Sequence, residues 1–453
     1  MIKKHILLIF SLLITLVLSS CTNRPIVTES VEDNALRLIN ELNAGNYDNA
    51  YRNFQFERKL KFSLSGRVFN NLWSDLINDY GNPVEILRRD SHTEAQRTTV
   101  SFIVQHEKEQ IIINVIYDMN NSIMGLEYGV VEGNIDDTDL SDLGGRTIAD
   151  NETLLTVGTE EFPLTGLLSV PRDSEGPFPL VILVPGSGPN DMDETIGVCT
   201  PFKDLADQLN RLGIAVLRYN NRAYEYLADI GSDIQNFTPY EEIIQDAVAV
   251  FQDALTLAEI DPANIFIAGH SIAGYFIPKI AEYTENSAGY IMMAANAYNL
   301  EDLIYQQYRY IMNLDGKISF AEKFILARYQ NMTKRVRNLK EGDNVNPRKI
   351  YGVYPAYWLY ANKYDVINLV KNIDVPVLFL QGTRDYQVSV ENYRIWEETM
   401  ANHEKASFIL YENLNHLFMY GDTRSTPEEY NIKKTVDTKV GEDISKWVKE
   451  NIR

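Results

Sequence analysis

Residues 265–274 read Ile265-Phe266-Ile267-Ala268-Gly269-His270-Ser271-Ile272-Ala273-Gly274. The apolar run 265–268 predicts a short buried strand, and the residues after it predict a sharp turn into a helix with a serine at its apex. Such a turn crowds the positions two before and two after the serine, and Gly269 and Ala273 are small enough to fill them. The value of the turn is chemical. A serine hydroxyl barely ionises at neutral pH, so as a nucleophile it needs a base within reach and backbone N–H groups around the developing oxyanion. Gly-x-Ser-x-small is common by itself, and its reading rests on the rest of the chain.

For a serine in this setting, an acid and then a histidine follow downstream. Residues 375–382 (VPVLFLQG) predict a buried strand, with Asp385 in the loop at its carboxyl end. Residues 406–411 predict the next strand, and His416 follows it within Leu414-Asn415-His416-Leu417-Phe418. The chain has only six histidines. His5 lies in the leader, His92 and His106 lie upstream, His270 is inside the turn, and His403 precedes the last strand. Only His416 falls on a loop beyond it. One oxyanion donor is expected from Ile272, the residue after the serine. The second is expected from the loop after strand 180–184, Pro185-Gly186-Ser187-Gly188-Pro189, by position the Ser187 N–H with Gly188 as the alternative. No Gly-Lys-Ser/Thr follows those glycines, so a phosphate-cradling loop is disfavoured.

These residues carry a resemblance. From about residue 153 to the end, the chain resembles bacterial α/β-hydrolases of the secreted esterase type, related to the dienelactone-hydrolase and prolyl-oligopeptidase-like branches. The matching stretches are PGSGPNDMDETIG (185–197), PFKDLADQLNRLGIAVLRYNNR (201–222), GHSIAGYFIPKIAE (269–282), VPVLFLQGTRDYQV (375–388) and LNHLF (414–418). Pro278 also sits where similar proteins carry a proline. The resemblance implies an α/β-hydrolase fold with a helical lid and a Ser271, His416, Asp385 triad working through an acyl-enzyme. It implies a serine carboxylesterase for small or medium acyl esters, with no cofactor and no metal. The alternatives are a serine peptidase or thioesterase of the same fold, and a catalytically inert binding lipoprotein. Two residues depart from the pattern. Ala273 stands where Gly is usual, and Asn220 stands where Asp is usual, which puts an ion pair from that position to Arg222 in doubt.

The amino terminus predicts the address. Lys3 and Lys4 precede an apolar run at 6–18, and Leu18-Ser19-Ser20-Cys21 has the form of a lipobox. Residues 1–20 are therefore expected to be a lipoprotein signal peptide, Cys21 to be lipidated, and 21–29 to be a tether. This makes the chain extracytoplasmic and lipid-anchored to a bacterial membrane. With Cys21 acylated, Cys199 has no disulfide partner. The net charge of −21 becomes −23 when Lys3 and Lys4 leave with the leader. Such a balance disfavours nucleic acid and anionic lipid as partners; a small-molecule acyl ester is the partner that the resemblance implies.

Residues 30–139 predict a small α+β domain. Val31, Ala35, Leu38, Ile39 and Leu42 have helical spacing, a second helix follows from Tyr47, and 98–105, 111–117 and 123–128 alternate as antiparallel strands. Through AGNYDNAYRNF (44–54) it resembles an uncharacterised, cone-like domain that precedes bacterial hydrolases. Residues 140–152 read as a linker. The acidic cluster Asp136, Asp137, Asp139 and Asp142 lacks the glycine and terminal glutamate of a calcium loop. Within the hydrolase domain, 153–453, residues 298–372 are far more than a helical connection needs and predict a lid. This stretch is rich in tyrosine and carries a basic run, Lys334 to Lys349. The bland readings, packing tyrosines and a solvated helix face, are the commoner ones.

Overall fold

The computed structural model describes residues 30–56, 66–94, 97–118, 121–130, 148–172, 174–226, 230–231 and 233–453. The leader, Cys21, the tether and the acidic cluster at 136–142 lie outside the described residues.

The first unit packs helices α1 (Val31–Asn43), α2 (Tyr47–Arg52) and α3 (Gly66–Tyr80) on a four-stranded sheet. Its strands are β1 (Pro83–Glu94), β2 (Arg97–His106), β3 (Gln110–Tyr117) and β4 (Ile123–Val130), antiparallel and in sequence order. The start of α1 is capped by Ser30, whose Oγ accepts from the Asp33 N–H at 3.1 Å. The apolar stripe of α1 is buried against Trp73, Phe102 and Val115, and the Trp73 indole donates to Asn43 Oδ1 at 3.0 Å. Periodicity misses β1 because residues 88–94 are almost all polar. Its strand state comes from pairing with β2, through a register that shifts twice.

The second unit is built on eight further strands: β5 (Glu152–Gly158), β6 (Pro163–Ser169), β7 (Phe178–Val184), β8 (Ala215–Tyr219), β9 (Ile260–His270), β10 (Gly289–Met293), β11 (Val377–Gly382) and β12 (Ala406–Tyr411). Their order across the sheet is β12-β11-β10-β9-β7-β8-β6-β5. β7 to β12 run parallel, while β6 lies antiparallel to both β8 and β5. This is an α/β-hydrolase sheet. Successive residues of β7 point to opposite faces, and each face has its own core. Leu180, Ile182 and Val184 meet α5 (Gln245–Ala254) and α6 (Ile272–Ala281), whereas Val181 and Leu183 meet α4 (Pro201–Arg211) and the carboxyl-terminal helix Thr438–Glu450. Strands covered on both sides read as unbroken apolar runs, which is why 180–184 and 265–268 are conspicuous in the sequence.

Between β10 and β11 the chain forms α7 (Leu300–Met312), α8 (Phe320–Arg337), α9 (Pro355–Ala361) and shorter turns. A capping box of Ser319 and Glu322 starts α8, and Lys334, Arg335 and Arg337 fill its last turn, where cations favour the helix carbonyls. Arg337 also pairs with Asp302 on α7. The tyrosines of this segment stack on one another: Tyr308 on Tyr329 with centroids 3.8 Å apart, and Tyr329 on Tyr351 at 5.9 Å. The Tyr351 hydroxyl lies 2.6 Å from Thr333 Oγ1. These contacts join α7, α8 and the turn before α9 into one packed layer.

Two sequence questions resolve in the fold. Asn220 accepts the Met192 N–H at 2.8 Å and donates to Glu225 at 2.7 Å. Arg222 takes its counter-ion elsewhere, from Asp246 in the first turn of α5, beneath the Phe162 ring. Cys199 is buried and free.

Candidate active site

β9 ends at His270, α6 begins at Ile272, and Ser271 joins them at φ 57°, ψ −121°. A side chain at positive φ costs about 1–3 kcal/mol and persists only where its surroundings hold it. Here the Ser271 N–H donates to the Met293 carbonyl at 2.8 Å. A methyl on Gly269 would lie 2.7 Å from the Ala273 backbone, and one on Gly274 would lie 2.7 Å from Ala295 Cβ. The tight approaches thus fall at Gly269 and Gly274. Ala273, in the place where Gly is usual, is fully buried in the core.

Asp385 sits in the loop after β11, buried, with four donors around its carboxylate. Oδ1 accepts the N–H groups of Gln387 and Val388, both at 2.8 Å. Oδ2 accepts Gln381 Nε2 at 3.0 Å and faces His416 Nδ1 at 2.7 Å. An ionised carboxylate only accepts, so Nδ1 carries the imidazole proton and Nε2 keeps its lone pair. The loop holding His416 is shaped by Asn415, whose Oδ1 accepts from the Leu417 and Met419 amides at 3.0 Å each. It presses on β11 so closely that a Cβ at Gly382 would lie 2.3 Å from the Leu414 carbonyl oxygen. Gly382→Ala should therefore displace this loop, destabilising the protein by about 2 kcal/mol; thermal unfolding of purified variant and wild type measures it.

The glycine loop after β7 lies against the serine, since a Cβ on Gly186 would be 3.4 Å from Ser271 Cβ. Asn190 Nδ2 reaches the carbonyls of Gly186, Ser187 and Gly188 at 3.1, 3.2 and 3.2 Å. Because a trans peptide points its C=O and N–H in opposite directions, drawing the Gly186 carbonyl toward Asn190 turns the Ser187 N–H away from it. The amides of Ser187 and Ile272 have no partner among the described residues. Gly188, the alternative donor, is committed to Glu242 at 2.9 Å.

Sequence reasoning missed Asn190, Glu194, Glu242 and Gln381. Apart from Glu242, each lies within a stretch that carried the resemblance, but spacing singled out none of them. Glu242 is buried, with its second oxygen accepting the Tyr357 hydroxyl of α9 at 2.5 Å. Burial pushes its pKa up, and the donors from Tyr357 and Gly188 only partly offset this. A carboxyl with a folded pKa above its unfolded value contributes stability that is full below the unfolded value and is lost as pH rises through the folded one. Glu242→Gln should remove that loss, so its melting temperature should gain on the wild type between pH 4 and pH 8. Parallel pH-dependent melts give the comparison.

A family model described as serine aminopeptidase, S33, matches residues 195–423, a span that holds Ser271, Asp385 and His416. Esterase EstD of Thermotoga maritima is 28% identical over 417 residues, covering 92% of this chain and 95% of its own. Among solved structures, Est1E from Butyrivibrio proteoclasticus aligns at TM-score 0.42 and 17% identity, over 66% of this chain and 98% of its own. The Pyrococcus furiosus esterase Pf2001 aligns at TM-score 0.41 and 15% identity, over 71% and 96%.

Proposed function

We propose, for a chain that belongs to the serine aminopeptidase S33 family of hydrolases, the activity of a serine carboxylesterase on small or medium acyl esters. The observation that carries this reading is the convergence at Ser271. The serine sits at a strained turn with the glycine loop against it, and the His416–Asp385 pair is packed beside that turn. In the proposed reaction, Asp385 holds His416 in the tautomer that leaves Nε2 basic. His416 takes the Ser271 proton as the oxygen attacks the ester carbonyl, and the Ser187 and Ile272 amides bind the oxyanion. The proton then goes to the leaving alcohol, and water, activated by the same imidazole, hydrolyses the acyl-enzyme. No step calls for a metal or organic cofactor.

The name of the family supports a second reading, an aminopeptidase, because the same triad serves either acyl group. The esterase relative, aligned over 92% of this chain, favours the ester. A panel of p-nitrophenyl esters of rising acyl length, run beside aminoacyl arylamides, separates the two. Preferential ester turnover with an optimum in chain length is the expected result, with residues 298–372 as the lid that sets it. Faster arylamide release would reverse the assignment. Lipidation at Cys21 belongs to the same proposal; mass spectrometry of the mature amino terminus from membranes should find an acylated cysteine, and an unmodified or uncleaved leader would refute it.

A further inference from the structure

His270 lies one residue before the serine, yet its buried side chain has no part in the proposed chemistry. Its Nδ1 is 2.8 Å from Glu194 Oε2, and its Nε2 is 2.9 Å from the backbone carbonyl of His416. The other Glu194 oxygen accepts the Gly186 N–H at 2.7 Å. One side-chain pair therefore links three segments: the glycine loop after β7, the end of β9 and the histidine loop after β12. Glu194 takes up this place at φ 51°, itself an uncommon backbone conformation for a glutamate.

The two neighbours of the ring bias its charge. Nε2 makes a hydrogen bond to a carbonyl, an acceptor, and so carries a proton, whereas Nδ1 and Glu194 Oε2 form an ion-pair contact that lies outside hydrogen-bond alignment. A carboxylate oxygen 2.8 Å from Nδ1 attracts a proton to that nitrogen, so the surroundings favour the imidazolium form of His270. Burial opposes that charge, but the Glu194 carboxylate overcomes it and raises the His270 pKa, with Asp385 acting in the same direction. The charged or titratable groups facing the ring are Glu194, Asp385 and His416; Phe202 and Phe418 cover it with uncharged rings at 6.3 and 6.4 Å. The His270 and His416 ring centroids are 4.6 Å apart.

We infer that His270, paired with Glu194, is a positioning residue that pins the His416 loop and the glycine loop around Ser271 and keeps a fixed positive charge beside the His416 ring. The inference rests on the proposed function for its kinetic part only. Glu194 serves both ends: it holds the charge on His270 and, through Gly186, the loop that presents the Ser187 amide.

The direct test is the protonation state. In protein labelled with ¹⁵N-histidine, the His270 ring should show two protonated nitrogens at pH 8. The signal is assigned by its loss in His270→Gln or, should that variant not fold, by elimination through replacement of the other five histidines. A neutral ring at pH 8 overturns the inference. In the kinetic test, Glu194→Gln should lower kcat for p-nitrophenyl butyrate by about 10²-fold, the scale of a small misplacement of catalytic groups. KM should stay within about threefold. A folded variant with unchanged kcat makes His270 packing alone. A wild-type enzyme that turns over no ester and resists fluorophosphonates would instead sink the proposed function, and the ring's two protons would still be read independently.

Discussion

Replacing Ser271 by alanine is expected to lower kcat for p-nitrophenyl esters by about 10⁶-fold and to abolish labelling by a fluorophosphonate, with the melting temperature nearly unchanged. The size follows from the role proposed for the hydroxyl: in that mechanism no acyl-enzyme forms without it, and only the oxyanion donors and substrate binding remain to assist water. The stability half follows from the backbone. Alanine keeps the Cβ that makes φ 57° costly, so the strain at the turn is retained. Ser271→Gly should be just as inactive yet more stable, by about 1 kcal/mol, because glycine takes positive φ without that cost. The two variants together separate loss of a nucleophile from loss of fold. Ester turnover that survives in both would take the nucleophile away from Ser271, whatever the melting curves show.

The parts of this site that could be read from sequence are those whose constraints are local or rare. The crowding that requires small residues around Ser271 arises within six residues, Gly269 against Ala273 and Gly274. The strands leading to Ser271 and Asp385 are covered on both faces, so their apolar runs are uninterrupted. His416 stands out because the chain has only six histidines. Glu194 and Glu242 had no such advantage. They are two among 63 acidic residues, and what distinguishes them is burial against loop amides, those of Gly186 and Gly188, 8 and 54 residues away. His270 was legible as a letter in the turn but not as a cation, since its charge depends on oxygens from two distant loops. The tyrosines of 298–372 illustrate a different limit. Composition cannot separate a pocket lining from a packing layer, and the stacking of Tyr308, Tyr329 and Tyr351 was decided only when α7 met α8. In the first unit, β1 was hidden because a polar strand paired along a sheet edge carries no apolar period.

Asp385→Asn is expected to cost about 10⁴-fold in kcat with little change in KM, through the tautomer of His416 rather than through loss of charge alone. The four donors around the carboxylate fix how an amide must sit. Its single oxygen will stay with the Gln387 and Val388 amides, which hold the loop. Its NH₂ group then faces Gln381 Nε2 and His416 Nδ1, two positions where the wild-type side chain accepts. Donor against donor is relieved at His416 by moving the ring proton to Nε2, which leaves no lone pair toward Ser271. The labelling rate by fluorophosphonate should fall in step with kcat, because both need that lone pair. Raising the pH should not restore activity, since the lost property is the position of a proton on a neutral ring and not the ring's ionisation. If the variant instead shows a raised KM and a lowered melting temperature together, the loop at Gln387 and Val388 has come apart, and the loss would have to be assigned to the scaffold of the site instead of its proton relay.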